Sequence, residues 1–378
     1  MKFLHTADWH IGKIVNEFSM LEDQAFVLNQ LVEDIKQMDI DAVIMAGDLY
    51  DRAIPPKEAV VLATTIFNRL VKEAGIPVLV IAGNHDSNER LEYGAELLSS
   101  SDLHIEGTVK ETVRKVTIKD TNFYLLPFAD HVTIRQLLED DEIKDIQDAT
   151  IKQIETIRQE MNPDEVNVLI AHGYVVNGGK ESVEDSDSER PLSIGTAEYV
   201  DVDVFEAFDY VALGHLHKAQ KVKHETVRYS GSPLKYSKSE VNHKKQYLIV
   251  DISKESTKVE PVEIRALRDM KTLRGTFSDL VTGESDDFIF FELEDDHYVM
   301  DAMNQLRRRY PYAMGLEYVY QKNERSTDQT EIKRTIEKKS MIELFEDFYN
   351  EYKDMELDDI RKAALHGIWE DVQRAENK

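Results

Sequence analysis

Five short apolar runs in this chain each lead into residues of the kind that bind metal ions, and that repetition limits the folds open to it more than any other feature. Phe3-Leu4 leads to Asp8 and His10, Ala42-Val43-Ile44-Met45 to Asp48, and Val78-Leu79-Val80-Ile81 to Asn84 and His85. Val168-Leu169-Ile170 leads to His172, and Tyr210-Val211-Ala212-Leu213 to His215 and His217. Short β-branched and apolar runs that end at glycine or polar residues predict strands buried on both faces. In an open α/β sheet, ligands bind outside the carboxyl ends of the strands, so five such ends predict one shared site.

Between the runs, Ala25, Leu28, Leu31, Val32 and Ile35 recur at helical spacing, as do Ala63, Ile66, Phe67, Leu70 and Val71, predicting helices that cover the sheet. Asp86-Ser87-Asn88-Glu89 has the spacing of a capping box and predicts another helix directly after His85. Residues 113–118 and 122–126 read as strands, charged helical sequence runs to Glu160, and 166–171 is the next buried strand. The polar stretch from Gly173 to Pro191 carries an acidic run, Glu181 to Glu189, that reads as a solvated loop. Strands at 228–230, 246–252 and 259–264 close a first domain, residues 1–264. A small α+β capping domain is expected over 265–323, with strands at 288–293 and 315–320 around a helix at 299–310. After a polar linker, a helical tail is expected over 330–378, with Phe345, Phe348, Leu357, Ile360, Ile368 and Trp369 on apolar stripes.

The absence of cysteine excludes disulfides, thiolate metal sites and thiol nucleophiles, so any metal must be held by His, Asp, Glu or Asn. A formal net charge of −27 opposes binding of phosphate polymers by the chain alone, because that affinity normally comes from Lys and Arg releasing counterions. This leaves a small phosphorylated substrate, or a nucleic acid held largely by a partner and by metals. No apolar run approaches the roughly 18 residues of a membrane span, and the start of the chain lacks a signal-peptide pattern. A cytoplasmic protein without a membrane partner is expected.

Asp8 and His10 stand two residues apart, so both can point the same way from an extended segment. Gly47 lets the backbone turn sharply at Asp48, whose carboxylate can bridge two cations. Asn84 offers a hard carbonyl oxygen, and His85 beside it can face a reacting phosphate instead of a metal. Two carboxylates, one amide and four imidazoles without sulfur suit manganese, iron, zinc or cobalt. Bridging carboxylates suit two ions roughly 3.5–4 Å apart, and hydrolysis of a phosphate ester is the natural reaction.

Asp8-x-His10, Gly47-Asp48, Gly83-Asn84-His85-Asp86, His172-Gly173 and Gly214-His215-x-His217 resemble the metallophosphoesterase superfamily in order and spacing. The segments 185–192 and 210–217 are similar to the SbcD-type nuclease subunits of bacterial SbcCD complexes, and the likeness covers residues 1 to about 260 most closely. The resemblance implies a two-sheet α/β sandwich flanked by helices, with one manganese on Asp8, His10, Asp48 and His217 and a second on Asp48, Asn84, His172 and His215. It makes His85 the catalytic residue that contacts the scissile phosphate and protonates the leaving oxygen, with Asp51 orienting its neighbours. It implies a manganese-dependent DNA nuclease, both double-strand exonuclease and hairpin or single-strand endonuclease, in DNA end processing, repair and recombination. An SbcC-like ABC-type ATPase would dock on the helical tail, in a heterotetramer or on a homodimer. The alternatives are a stand-alone metallophosphatase or cyclic-nucleotide phosphodiesterase, and a catalytically idle scaffold. The length of chain beyond the catalytic domain favours the nuclease.

Other histidines receive plain readings: His5 in a strand, His104, His131, His224, His243 and His297 on the surface, and His366 in a terminal helix. Lys13, Arg52, Arg90 and Arg190 lie near the motifs and could reach phosphates, but read as solvated.

Overall fold

The computed structural model describes residues 1–189, 199–319 and 361–362. The expected helical tail, with its aromatic residues and His366, and the stretch from Arg190 to Leu192 lie outside the described residues. Twelve strands build two six-stranded sheets. They are β1 (Lys2–Thr6), β2 (Ala42–Ala46), β3 (Val78–Ile81), β4 (Leu103–Glu106), β5 (Arg114–Ile118), β6 (Thr121–Leu126), β7 (Val166–His172), β8 (Tyr210–Gly214), β9 (Gln220–Val222), β10 (His224–Tyr229), β11 (Gln246–Ile252) and β12 (Thr257–Glu263). The first sheet runs β12-β11-β1-β2-β3-β4 and the second β9-β10-β8-β7-β6-β5. β1 to β4 are mutually parallel, as are β6, β7, β8 and β10, while β11 and β12 close the first sheet in antiparallel sense.

The apolar runs lack alternation because both of their faces are covered, as is usual for parallel sheets. Phe3, Ile44, Leu79 and Ile81 of the first sheet meet Phe123, Val168, Ile170 and Ala212 of the second in an apolar layer between the sheets. The alternate residues Leu4, Val43, Met45, Val78 and Val80 face outward under the helices Leu21–Gln37 and Lys57–Asn68, against Leu28, Leu31, Ala63 and Ile66. On the far side Leu169, Val211 and Leu213 pack under the helix Ile146–Glu160, against Ile154 and Ile157. Each such aliphatic side chain contributes about 1.5–3 kcal/mol on full burial. The architecture is a sandwich of two sheets between helices, as expected.

Three further strands, β13 (Met270–Gly275), β14 (Phe288–Leu293) and β15 (Ala313–Tyr318), form a sheet in that order. The helix expected over 299–310 is confined to Ala302–Arg307, and β15 begins two residues before its expected start. The chain divides into two compact units. One comprises Met1–Leu273, Gly283–Phe290 and Met303–Gly315, and the other Arg274–Thr282, Phe291–Ala302 and the described residues from Leu316 onward. Within the first unit, Arg268 donates to Asp23 (2.7 Å) and Glu22 (2.6 Å) and lies over the Tyr312 ring. Among the described residues no helix is long and apolar enough to cross a membrane.

Candidate metal centre

All the expected site residues, the seven ligands and the catalytic His85, follow the carboxyl ends of parallel strands drawn from both sheets: Asp8 and His10 after β1, Asp48 after β2, Asn84 and His85 after β3, His172 at the end of β7, and His215 and His217 after β8. Three glycines allow the strand ends to converge. A Cβ on Gly47 would lie 2.3 Å from His172 Nδ1, one on Gly83 2.2 Å from Asp48 Oδ1, and one on Gly214 1.9 Å from the Ala46 carbonyl oxygen. Asp8 and His10 do not sit on an extended segment. Both have left-handed backbones (φ 55° and 45°), as do Asp48 (56°) and His215 (113°). Side chains there cost energy that the surrounding structure must offset, and such strain gathers at functional sites. Backbone bonds hold the turns in place: the Asp8 amide donates to the Gly47 carbonyl and the His10 amide to that of Asp48, each at 3.0 Å.

Asp48 stands at the centre. Its Oδ2 lies 3.6 Å from His10 Nε2, 3.5 Å from His172 Nε2 and 4.0 Å from His85 Nε2. Asn84 Oδ1 lies 2.9 Å from His172 Nε2 and 3.1 Å from His215 Nδ1. On the opposite side His10 Nε2 and His217 Nε2 face each other at 3.0 Å. Asp8 Oδ1 accepts from the His215 amide at 2.9 Å, while its Oδ2 is buried with no hydrogen-bond partner. Ligand atoms of Asp8, His10 and Asp48 lie within 4.8 Å of one another, and so do those of His10, Asp51 and His85.

These contacts call for cations. His172 Nδ1 lies 2.9 Å from the Ala46 carbonyl, which can only accept, so Nδ1 carries the proton. Burial pushes the His172 pKa down to about 4, so near neutral pH its Nε2 presents a lone pair to two oxygens, Asn84 Oδ1 and Asp48 Oδ2. Lone pairs facing oxygens repel unless a positive ion lies between them. On the other side the orphaned Asp8 Oδ2 has the same character, and it lies where His10 Nε2 and His217 Nε2 face each other at 3.0 Å. Burial likewise holds His10 and His215 well below the usual imidazole range and lowers His217, so all four rings are neutral and ready to coordinate. Burial, then the neighbouring Asp48 charge, raises Asp8 well above the usual carboxylate range and Asp86 to about 7. A bound divalent cation reverses that balance.

The supports of this centre were largely invisible in the sequence. Asp86 does not cap the following helix, Asn88–Glu92, whose N-cap Ser87 makes no side-chain cap bond. Its carboxylate instead accepts from the amides of Gly83, Leu49 and Tyr50 at 3.0–3.1 Å, tying the β2 and β3 turns together. Asp51 holds Lys13 at 2.8 Å, so Lys13 is not simply solvated, and its backbone carbonyl accepts from His85 Nδ1 at 2.9 Å. Arg52 and Arg90 are exposed, as expected. The acidic run is more than a solvated loop: Ser188 Oγ lies 2.6 Å from His217 Nδ1, and Glu189 Oε1 accepts from the His217 amide at 2.6 Å. Glu240 and Lys245, buried behind His217, gave no sequence signal. His5 is the buried strand residue expected, His224 and His297 are exposed, and His104, His131 and His243 are half-buried rather than fully on the surface.

Residues 1–219 match the profile of the calcineurin-like phosphoesterases. Residues 266–353 match a type 5 capsule protein repressor C-terminal domain, the C-terminal domain of SbcD. Two solved structures are similar: a dimetal phosphatase from Danio rerio (11% identity, 70% of this chain and 98% of that one, TM-score 0.40), and an uncharacterised protein from Streptococcus pneumoniae TIGR4 described as a phosphoesterase (11%, 69% and 88%, TM-score 0.30). The first profile covers more than half of the chain, and the chain belongs to the calcineurin-like phosphoesterase family, enzymes that hydrolyse phosphate esters with divalent metal. The second profile makes it an SbcD-type member of that superfamily.

Proposed function

We propose that this chain is a manganese-dependent DNA nuclease that processes duplex ends and hairpins together with an SbcC-like ABC-type ATPase. The observation that carries the reading is the position of Asp48 Oδ2 between His10 Nε2 on one side and His172 Nε2 on the other. One ion would be held by Asp8, His10, Asp48 and His217, and a second by Asp48, Asn84, His172 and His215. Bound there, two divalent ions polarise a phosphoryl oxygen and lower the pKa of an attacking water. The chain's own residues supply the rest. The Asp51 carbonyl accepts a hydrogen bond from His85 Nδ1, which keeps the proton on that nitrogen and turns Nε2 into the site, 4.0 Å from Asp48 Oδ2. When protonated, that nitrogen delivers its proton to the leaving oxygen as the P–O bond breaks, which is general-acid catalysis. The extra C-terminal domain and the charge of −27 support a partner that brings basic surface to the DNA.

The test is cleavage of labelled linear and hairpin duplexes in manganese, with and without the ATPase. Metal-dependent hydrolysis of a simple phosphodiester, with no duplex cleavage even in the presence of the ATPase, would point to a stand-alone phosphatase. Deleting residues 330–378 is expected to leave simple phosphodiester hydrolysis intact and to abolish both co-purification with the ATPase and ATP-stimulated end cleavage. Undiminished complex formation by the shortened chain would move the docking site elsewhere.

A further inference from the structure

Behind His217 lies a buried ion pair that plays no part in the chemistry above. Glu240 is fully buried; its Oε2 accepts from Lys245 Nζ at 2.5 Å, and Lys245 spends its other protons on the His217 carbonyl (2.9 Å) and Ser232 Oγ (2.8 Å). Glu240 Oε1 accepts from the Tyr236 amide (3.2 Å), Ser237 Oγ (3.1 Å) and Ser188 Oγ (2.5 Å). A buried ion pair of this kind is seldom more stabilising than apolar residues of the same volume, so stability alone does not account for it. The direction of its hydrogen bonds does. Glu240, paired with Lys245, has only acceptors to offer, so the single Ser188 hydroxyl proton points to Glu240. The Ser188 lone pair then faces His217 Nδ1 at 2.6 Å, with Glu240 Oε1 itself 3.4 Å from the same nitrogen, and both positions require a proton on Nδ1. Neutral His217 is thereby fixed with its free lone pair on Nε2, the atom that faces His10 Nε2 and the cluster around Asp48.

We propose that Ser188, Glu240 and Lys245 form a relay of positioning residues that fixes the tautomer and ring orientation of His217, and thereby sets the affinity of one of the two metal positions without altering the other. The relay reaches the ring from outside the strand framework: Ser188 belongs to the acidic loop, and the adjacent Glu189 holds the His217 amide. The inference rests on the reading of His217 as a metal ligand. Partners of this kind behind a coordinating histidine typically change metal affinity by about 10–100-fold.

The experiment uses the full chain and manganese chloride, followed by isothermal titration, with bound ions counted by electron paramagnetic resonance. Wild type is expected to bind two ions. Ser188→Ala, a change in a loop outside the core, should weaken one of them at least about tenfold and leave the other within about twofold, and Ser188→Thr, which keeps the hydroxyl, should restore wild-type affinity. The double variant Glu240→Gln with Lys245→Met, which removes both charges together so that neither is left buried alone, should show the same selective loss. In zinc-loaded protein carrying nitrogen-15 histidine, the His217 proton should appear on Nδ1. Two ions bound with wild-type affinity in both Ser188→Ala and the double variant, or a His217 proton on Nε2, would overturn the relay while leaving the two-metal reading in place. A wild-type chain that binds fewer than two ions would overturn that reading, and the relay with it.

Discussion

Acid should loosen the contact between the two sheets through His5, which lies on β1 in the layer between them and is fully buried. Its Nε2 lies 3.2 Å from the Leu213 carbonyl of the opposite sheet, so Nε2 carries the proton, and its Nδ1, 3.0 Å from Tyr210 Oη, accepts from that hydroxyl. A second proton would have to enter at Nδ1, where a donor already points. Burial pushes the pKa down to about 3 from the ordinary 6.5. Because the folded value lies below the unfolded one, the unfolded chain takes up the proton first. The stabilisation is therefore complete above pH 6.5 and is lost as the pH falls from there toward 3, by up to roughly 1.4 kcal/mol per unit. Between pH 7 and pH 4.5 that amounts to about 3 kcal/mol, a large part of the 5–15 kcal/mol typical of a folded protein. The comparison is with His5→Gln, whose amide can still donate to Leu213 and accept from Tyr210 but cannot take a proton. Urea unfolding of both proteins at a series of pH values removes the contribution of the metal-site histidines, which titrate alike in the two. The variant should be less stable at pH 7.5 by about 1–2 kcal/mol, and the gap should close and reverse by pH 4.5. Parallel stability curves across that range would refute the assignment of His5 as a neutral link between the sheets.

Three further outcomes are expected. Asp48→Ala should empty both metal positions, whereas His85→Ala should keep two ions and lower cleavage by about 10²–10⁴-fold, and equal metal loss in elemental analysis of the two would refute that division of roles. Gly214→Ala places a methyl group 1.9 Å from the Ala46 carbonyl and should cost about 3 kcal/mol or prevent folding, while Gly75→Ala, left-handed but with open space around it, should cost only about 1 kcal/mol; denaturant midpoints decide. Fluorescence anisotropy of the isolated chain on labelled duplex should show weak binding that falls steeply between 50 and 200 mM salt, about the range over which counterion release acts, and tight binding at physiological salt would contradict the inference from net charge.

The strands and the candidate ligands that meet at their ends were legible because each depends on a local pattern. Apolar runs covered on both faces need no partner to be recognised, and the residues after them are named by their chemistry alone. What escaped depends on where distant segments meet. Asp86 reads as a helix cap until Leu49 and Tyr50, from another turn, claim its oxygens. The acidic run reads as solvated because nothing near it in sequence shows that Ser188 and Glu189 fold onto His217. Glu240 and Lys245 lie five residues apart in an unremarkable polar stretch, and only burial makes them a pair. The left-handed turns at Asp8 and His10 were missed for a different reason: Asp and His tolerate that conformation better than most residues, so no glycine marks it.

The position of β1 has a consequence for how the molecule is made. Of the twelve strands of the sandwich β1 is made first, yet it is an interior strand of its sheet, flanked by β2 on one side and β11 on the other, and the Met1 nitrogen donates to the carbonyl of Ile252, 251 positions later. At synthesis rates of about 5–20 residues per second, β1 waits roughly 12–50 s for its second neighbour. Throughout that interval one backbone edge of an apolar strand stands open, and the half-built sheet can pair with another nascent chain as readily as with its own missing strand. Slowed translation upstream of Gln246, or a cell short of chaperones, should therefore lower the yield of soluble protein far more than equal slowing after Glu263, once that edge has been closed.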